Sequence, residues 1–204
     1  MRVGIIKSGL GNVASIQRML ERVGASGIYI SSRKEITECD ALILPGVGHF
    51  NEGIRALRKL ELFEAMKKLG CDDKIPILGI CLGMQLLCRG SEEGSEPGLG
   101  LIDADIRRFR FSVDEKLKVP HMGWNVVRAR TSNPLIPHTE EEQRFYFAHS
   151  YRVIPDDPSV VIGTANYGGD FCVAFQKGNI FGVQFHPEKS HRFGMELMKR
   201  FVEL

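Results

Sequence analysis

The chain has 204 residues, 43% of them hydrophobic, enough for one domain that buries about 70% of its unfolded surface without metal or disulfide staples. Charged residues make up 25%, and 27 Lys and Arg stand against 25 Asp and Glu; this net charge of only +2 argues against a nucleic-acid footprint. Five cysteines, Cys39, Cys71, Cys81, Cys88 and Cys172, form an odd set without CxxC pairs, which fits neither a disulfide framework nor a thiolate zinc site and points to a reducing compartment.

The opening Met-Arg-Val-Gly-Ile-Ile-Lys is too short in its apolar stretch for a signal peptide, and no later segment approaches a membrane span, so a cytoplasmic protein is expected. Val3 to Ile6 reads as the first strand. The stretch from Asn12 to Val23 sets Val13, Ile16, Met19, Leu20 and Val23 on one helical stripe, with Gly24 as its stop. A short strand follows at Ile28 to Ser31, and Ala41 to Leu44 reads as a buried strand ended by Pro45. Helical spacing returns from Asn51 to Leu69. Ile75 to Ile80 is the next strand, with a helix from Leu82. Val- and Ile-rich runs alternating with helices are the pattern of a parallel sheet covered on both faces.

Beyond Leu99 the character changes to short apolar segments near Leu101–Phe109, Trp124–Arg128, Phe145–His149, Val160–Ala165, Phe171–Phe175 and Ile180–Phe185, which read as antiparallel and partly one-sided strands. A final amphipathic helix, Lys189 to Glu203, carries Phe193, Leu197, Met198, Phe201 and Val202 inward. With no repeat or dividing linker, one α/β domain over residues 1–204 is expected, its sheet mixed but mostly parallel and flanked by helices. The basic cluster Arg107-Arg108-Phe109-Arg110 reads either as a solvated strand face or as a contact for phosphates or an acidic partner.

Three pieces carry chemistry. Gly79-Ile-Cys-Leu-Gly83 lies where an apolar strand gives way to a helix and repeats the G-x-nucleophile-x-G elbow with cysteine in place of serine. Its glycines permit a sharp turn, and the helix N-terminus favours a thiolate on Cys81; the same residues also suit a buried cysteine between packing glycines. In Val183-Gln-Phe-His-Pro-Glu188 a strand ends on His186, blocked by Pro187, with Glu188 placed to bond the imidazole nitrogen that faces away from the sulfur. Alone this is equally a strand-end turn; beside the elbow it supplies nucleophile, base and orienter. Pro45-Gly-Val-Gly48 is a rigid turn whose backbone, at Val47, would form half of an oxyanion hole with the N–H of Leu82, or else simply joins strand to helix.

Taken together, these pieces resemble the triad-type (class I) glutamine amidotransferases from Val3 to the C-terminal helix, most specifically in Gly79-Ile-Cys-Leu-Gly-Met-Gln85 and Gln184-Phe-His-Pro-Glu-Lys-Ser190. Pro45-Gly-Val-Gly-His-Phe50, Pro120-His-Met-Gly-Trp-Asn125, Phe145-Tyr-Phe-Ala-His-Ser-Tyr151 and the Gly9-Leu-Gly-Asn12 loop look like the glutaminase subunits of imidazole glycerol phosphate synthases, enzymes of histidine biosynthesis. The resemblance implies that Cys81 attacks the side-chain amide of L-glutamine and that His186 and Glu188 complete the triad. It also implies that Gly48, Gln85, Glu93, His149, Ser150 and Tyr151 hold the substrate. No cofactor or metal is implied. The partner implied is a (β/α)8-barrel cyclase that consumes the ammonia, with Trp124 at the interface in place of a core position. At Lys7-Ser8 the chain departs from the Asp-Tyr or similar pair of many relatives, which bears on partner contacts, and no site residue is assigned between Arg107 and Lys118. Other readings are a glutaminase of another ammonia-channelling synthase, against which Pro120-His-Met-Gly-Trp-Asn125 speaks, and a catalytically silent subunit of the same fold. A nucleotide-binding module built on Gly9-Leu-Gly-Asn12 would need the GxGxxG spacing that the loop lacks.

Overall fold

The computed structural model describes residues 1–72 and 75–204. Its first half alternates strands β1 (Arg2–Ile6), β2 (Ser26–Ile30), β3 (Ala41–Gly46) and β4 (Ile77–Cys81) with helices α1 (Val13–Arg22), α2 (Arg33–Ile36), α3 (Phe50–Lys59) and α4 (Phe63–Asp72). A short helix α5 (Leu82–Leu86) follows β4 directly. Then come β5 (Cys88–Ser91), β6 (Ile102–Arg108), β7 (His121–Ala129), β8 (Gln143–His149), β9 (Tyr151–Pro155), β10 (Val161–Asn166), β11 (Asp170–Lys177) and β12 (Ile180–Val183), and α6 (His191–Val202) closes the chain.

The main sheet runs β2-β1-β3-β4-β12-β11-β10-β7-β8, while β9 pairs with β11 and β6, and β5 with β6. Strands β1 to β4 and β12 are mutually parallel, and the rest of the path is antiparallel. The expected mixed sheet flanked by helices is therefore present, but parallel pairing does not predominate: among the described residues five strand pairs are parallel and six antiparallel, because the second half is built of strands without intervening helices. Alternation along each parallel strand divides the core in two. Val3, Ile5, Ala41, Ile43, Leu78 and Ile80 face α1 and α6 through Ile16, Leu20, Leu197 and Phe201. Ile6, Leu42, Leu44 and Ile77 face α3 and α4 through Phe50, Ile54, Leu57 and Met66.

Several boundaries differ from the sequence reading. The helical run from Asn51 to Leu69 is two helices, because Glu61 turns left-handed at φ 56. Leu62 N–H then reaches Leu57 O at 2.9 Å and Glu61 N–H reaches Arg58 O at 2.9 Å, the paired bonds of a helix-ending motif usually marked by glycine. Gly24, at φ +85, ends α1 with the same pair of bonds, as its sequence indicates. Strand β3 runs through Pro45, which lies opposite Ile80; its pairing with β1 stops at Ile43, so no ladder bond is lost on that side. Strands β5 and β9 have no counterpart among the expected segments. The basic cluster is a solvated face: Phe109 is buried, while Arg107 and Arg110 pair with Asp105 and Glu92. Among the described residues no helix is long and apolar enough to cross a membrane.

Candidate active site

Because β3, β4 and β12 are parallel neighbours, their carboxyl ends open on one place, the position where ligands meet such sheets. Gly46 lies opposite Cys81 and Ile80 opposite Val183. Residues far apart in the chain, Val47, Leu82 and Gln184, therefore start their loops or helix side by side.

Cys81 ends β4 and caps α5 with φ 54 and ψ −109, a left-handed backbone that costs energy for a residue with a Cβ. The flanking glycines make the turn possible. A Cβ on Gly79 would come within 2.7 Å of the Gly83 carbonyl, and one on Gly83 would overlap the Leu44 carbonyl oxygen. The glycines thus let β3, β4 and α5 approach while the elbow turns the cysteine toward a cavity of about 280 Å³.

His186 follows β12. Its N–H donates to Tyr146 O at 2.9 Å, and Ser190 locks the turn by donating its hydroxyl to His186 O at 2.6 Å and accepting from Tyr146 N–H at 3.0 Å. His186 Nδ1 stands 2.8 Å from Glu188 Oε1, and both side chains are almost wholly buried. A carboxylate accepts, so Nδ1 carries the proton and Nε2 is left for the sulfur. Burial alone would press the imidazolium down, yet its contacts with Cys81 and Glu188 together outweigh that and push the His186 pKa up to about 10. At neutral pH a cation therefore sits beside Cys81.

The cavity wall gathers Val47, Gly48, Cys81, Leu82, Gln85, Glu93, His149, Ser150, Tyr151 and His186. Glu188 stands behind His186. Val47 and Gly48, at φ +112, form the loop opposite α5, and a Cβ on Gly46 would meet Leu82 Cβ at 2.9 Å, which measures how closely loop and helix approach. Glu93 also holds the fold together, since its carboxylate accepts from Phe50 N–H at 2.8 Å at the start of α3. Trp124 is away from this wall and 49% exposed, stacked on His191 with ring centroids 5.5 Å apart. Asn12 of the Gly9-Leu-Gly-Asn12 loop caps α1 by accepting from Ser15 N–H at 3.3 Å, and Gly11 packs against Gly46.

Sequence reasoning assigns no role to His121, Asn125, Gln184 or Ser190, although each lies inside a motif that it singles out. His149 Nδ1 is 2.7 Å from Tyr151 O, a pure acceptor, so Nδ1 is protonated and Nε2 accepts. His121 Nδ1, 2.9 Å from that Nε2, must then be the donor. His121 Nε2 in turn accepts from Asn125 Nδ2 at 3.2 Å, which also donates to Asn166 O at 2.9 Å. Burial lowers the His121 pKa to about 4; for His149, burial and the nearby His121 and His186 lower it to about 3 against the pull of Tyr151 O. Both rings are neutral at physiological pH, with their tautomers set by one chain of bonds.

Residues 5–204 match the family described as Glutamine amidotransferase class-I. The chain is 48% identical over 200 residues to imidazole glycerol phosphate synthase subunit HisH 2 of Pseudomonas aeruginosa, covering 98% of each chain. It is 46% identical to the HisH 2 subunit of Methanococcus maripaludis, again covering 98% of each, and 43% identical to the HisH subunit of Moorella thermoacetica, covering 99% of this chain and 94% of that one. Among solved structures, PurLQS from Thermotoga maritima shares the fold at a TM-score of 0.73 and 20% identity, covering 99% of this chain and 95% of that chain. A glutamine amidotransferase crystal structure does so at 0.72 and 19%, covering 96% and 98%. A cysteine elbow, a buried histidine–glutamate pair and a match over nearly the whole length converge, and the chain belongs to the class-I glutamine amidotransferase family.

Proposed function

We propose that this chain is the glutaminase subunit of an imidazole glycerol phosphate synthase, hydrolysing L-glutamine to L-glutamate and ammonia for a cyclase partner. The observation that carries the reading is Cys81 on its strained elbow beside an imidazole fixed at 2.8 Å by Glu188, in a cavity large enough for one amino-acid amide.

In this reading the Cys81 thiolate attacks the side-chain amide carbon of glutamine. The carbonyl oxygen becomes an oxyanion received by the N–H groups of Val47 and Leu82, each such donor being worth roughly 10²–10³ in rate. His186 gives its Nε2 proton to the leaving nitrogen, ammonia departs, and a thioester remains on Cys81. His186 then takes a proton from water as it attacks the thioester, and glutamate leaves with the thiolate restored. Glu188 keeps the ring aligned throughout. The Gly48 backbone also meets the reacting end, and Gln85, Glu93, His149, Ser150 and Tyr151 hold the amino and carboxylate ends of the substrate.

Ammonia released into neutral water would be protonated and lose its nucleophilicity, which is why the reading includes a (β/α)8-barrel partner that consumes it. Supporting a docked partner, Val47, Met122 and Trp124 are exposed at 43%, 64% and 49%, the first two at the cavity wall and Trp124 two residues beyond Met122 on β7. Such apolar anchors are enriched at interfaces. A cytoplasmic setting belongs to the same proposal, since the nucleophile must stay reduced. The reading is tested by glutamate formation in the purified chain, alone and with the cognate cyclase and its nucleotide ligand, with Cys81→Ala as blank. Turnover in the complex that vanishes in the blank supports the reading; no turnover in either setting overturns it.

A further inference from the structure

Gln184 is fully buried and belongs to none of the roles above. Its N–H donates to Val173 O at 2.8 Å, anchoring it just beyond β12, so its side chain reaches laterally to the end of β4. There Nε2 lies 3.7 Å from Cys81 Sγ, and Oε1 accepts from Gln85 Nε2 at 3.0 Å. A sulfur anion can only accept, so the amide nitrogen of Gln184 must face it. That choice leaves Oε1 for Gln85 and obliges Gln85 to donate, so that Gln85, which lines the cavity, keeps its own Oε1 as an acceptor. Reversing both amides would set Gln184 Oε1 against the sulfur, which only a protonated thiol could satisfy, and would present a donor of Gln85 to the cavity. The polarity of the pair is therefore tied to the charge on Cys81.

We infer that Gln184 is a catalytic residue of this site: its amide N–H holds the Cys81 thiolate, and its amide oxygen orients Gln85 as an acceptor for the cationic amino group of the substrate. The two roles together need both ends of one amide, which is why neither an acid nor an apolar side chain can replace it. The substrate half of this inference rests on the glutaminase reading; the thiolate half does not.

The experiment compares the full chain with Gln184→Met, which keeps the volume and removes both polar ends, and Gln184→Glu, which keeps the shape and sets a carboxylate against the sulfur. Iodoacetamide labelling of Cys81 is followed by peptide mass spectrometry, which separates it from exposed Cys71. Loss of one hydrogen bond to a charged group predicts labelling at pH 7 slower by roughly tenfold or more, recovered as the pH is raised towards 10, with Gln184→Glu slower than Gln184→Met. With the cyclase, both variants lose kcat and also raise the KM for glutamine. Labelling unchanged from the parent in a variant that still unfolds cooperatively overturns the thiolate role, and an unchanged KM overturns the orienting role. Absence of glutamine turnover in the parent overturns the glutaminase reading, while labelling still decides the thiolate role. Should neither variant fold, the side-chain amide protons of Gln184 in the intact chain, followed by NMR, must titrate together with the labelling rate; protons that stay fixed overturn the inference.

Discussion

At the scale of single residues, the buried histidines divide into two opposed groups. His121 and His149 are held neutral down to about 4 and about 3, whereas an unfolded histidine titrates near 6.5. Between those values the unfolded chain binds protons that the folded chain refuses, so stability falls as the pH drops below about 6.5. His186, at about 10, behaves oppositely: its contribution is complete below about 6.5 and is lost as the pH rises towards 10. Stability is expected to peak near neutrality, with urea unfolding at pH 5 lower by about 1–3 kcal/mol than at pH 7. Replacing His121 with Asn, whose amide nitrogen can take the place of Nδ1, should shrink that acid limb; a limb of unchanged size would count against the neutral pair. Glu188→Gln removes the carboxylate that fixes the Nδ1–H tautomer of His186. Turnover should fall by about 10² or more, and the loss of stability at high pH should be smaller and complete nearer neutrality, because the folded pKa of His186 falls without the carboxylate.

At the scale of elements, two turns make opposite use of left-handed backbone. In the α3–α4 connection Glu61 occupies the position glycine prefers, at φ 56, while Leu57 and Leu62 are buried around it. Glu61→Gly is expected to raise stability by about 0.5–1 kcal/mol, read as an increase of a few degrees in the unfolding midpoint. The elbow around Cys81 is different, since in the proposed reaction Cys81 attacks from its strained conformation, and Gly83 must stay small for β3 and α5 to approach. Gly83→Ala would drive a methyl into the Leu44 carbonyl and is expected to cost about 3 kcal/mol or more, seen as loss of soluble chain or a collapsed urea midpoint. Local signals of this kind differ in legibility: Gly24 announces the end of α1, but Glu61 gives no sign, so two helices read as one. Strand β9 follows β8 after Ser150 alone and is not legible as a strand, because its pairing to β6 is not encoded in its own few residues.

At the scale of the whole molecule, the exposed apolar side chains of Val47, Met122 and Trp124 are the surface that the proposed partner would cover. Trp124 lies on β7, half exposed and supported by His191, so its removal should leave the fold within about 0.5 kcal/mol of the parent. With the cyclase, Trp124→Ala should weaken the dissociation constant by roughly tenfold or more, measured by calorimetry; an unchanged constant would remove Trp124 from the interface. What the sequence determined by itself is the chemistry's local grammar. The elbow around Cys81, the His186–Glu188 pair two residues apart and the alternating parallel half are all encoded by neighbours along the chain, where steric limits and side-chain period act directly. Only the tertiary structure decided how Gln184 meets Cys81, 103 positions away, and how His121 meets His149 across β7 and β8. Those contacts arise from strand order and register, which depend on how the whole sheet buries its two faces and not on any segment's own residues.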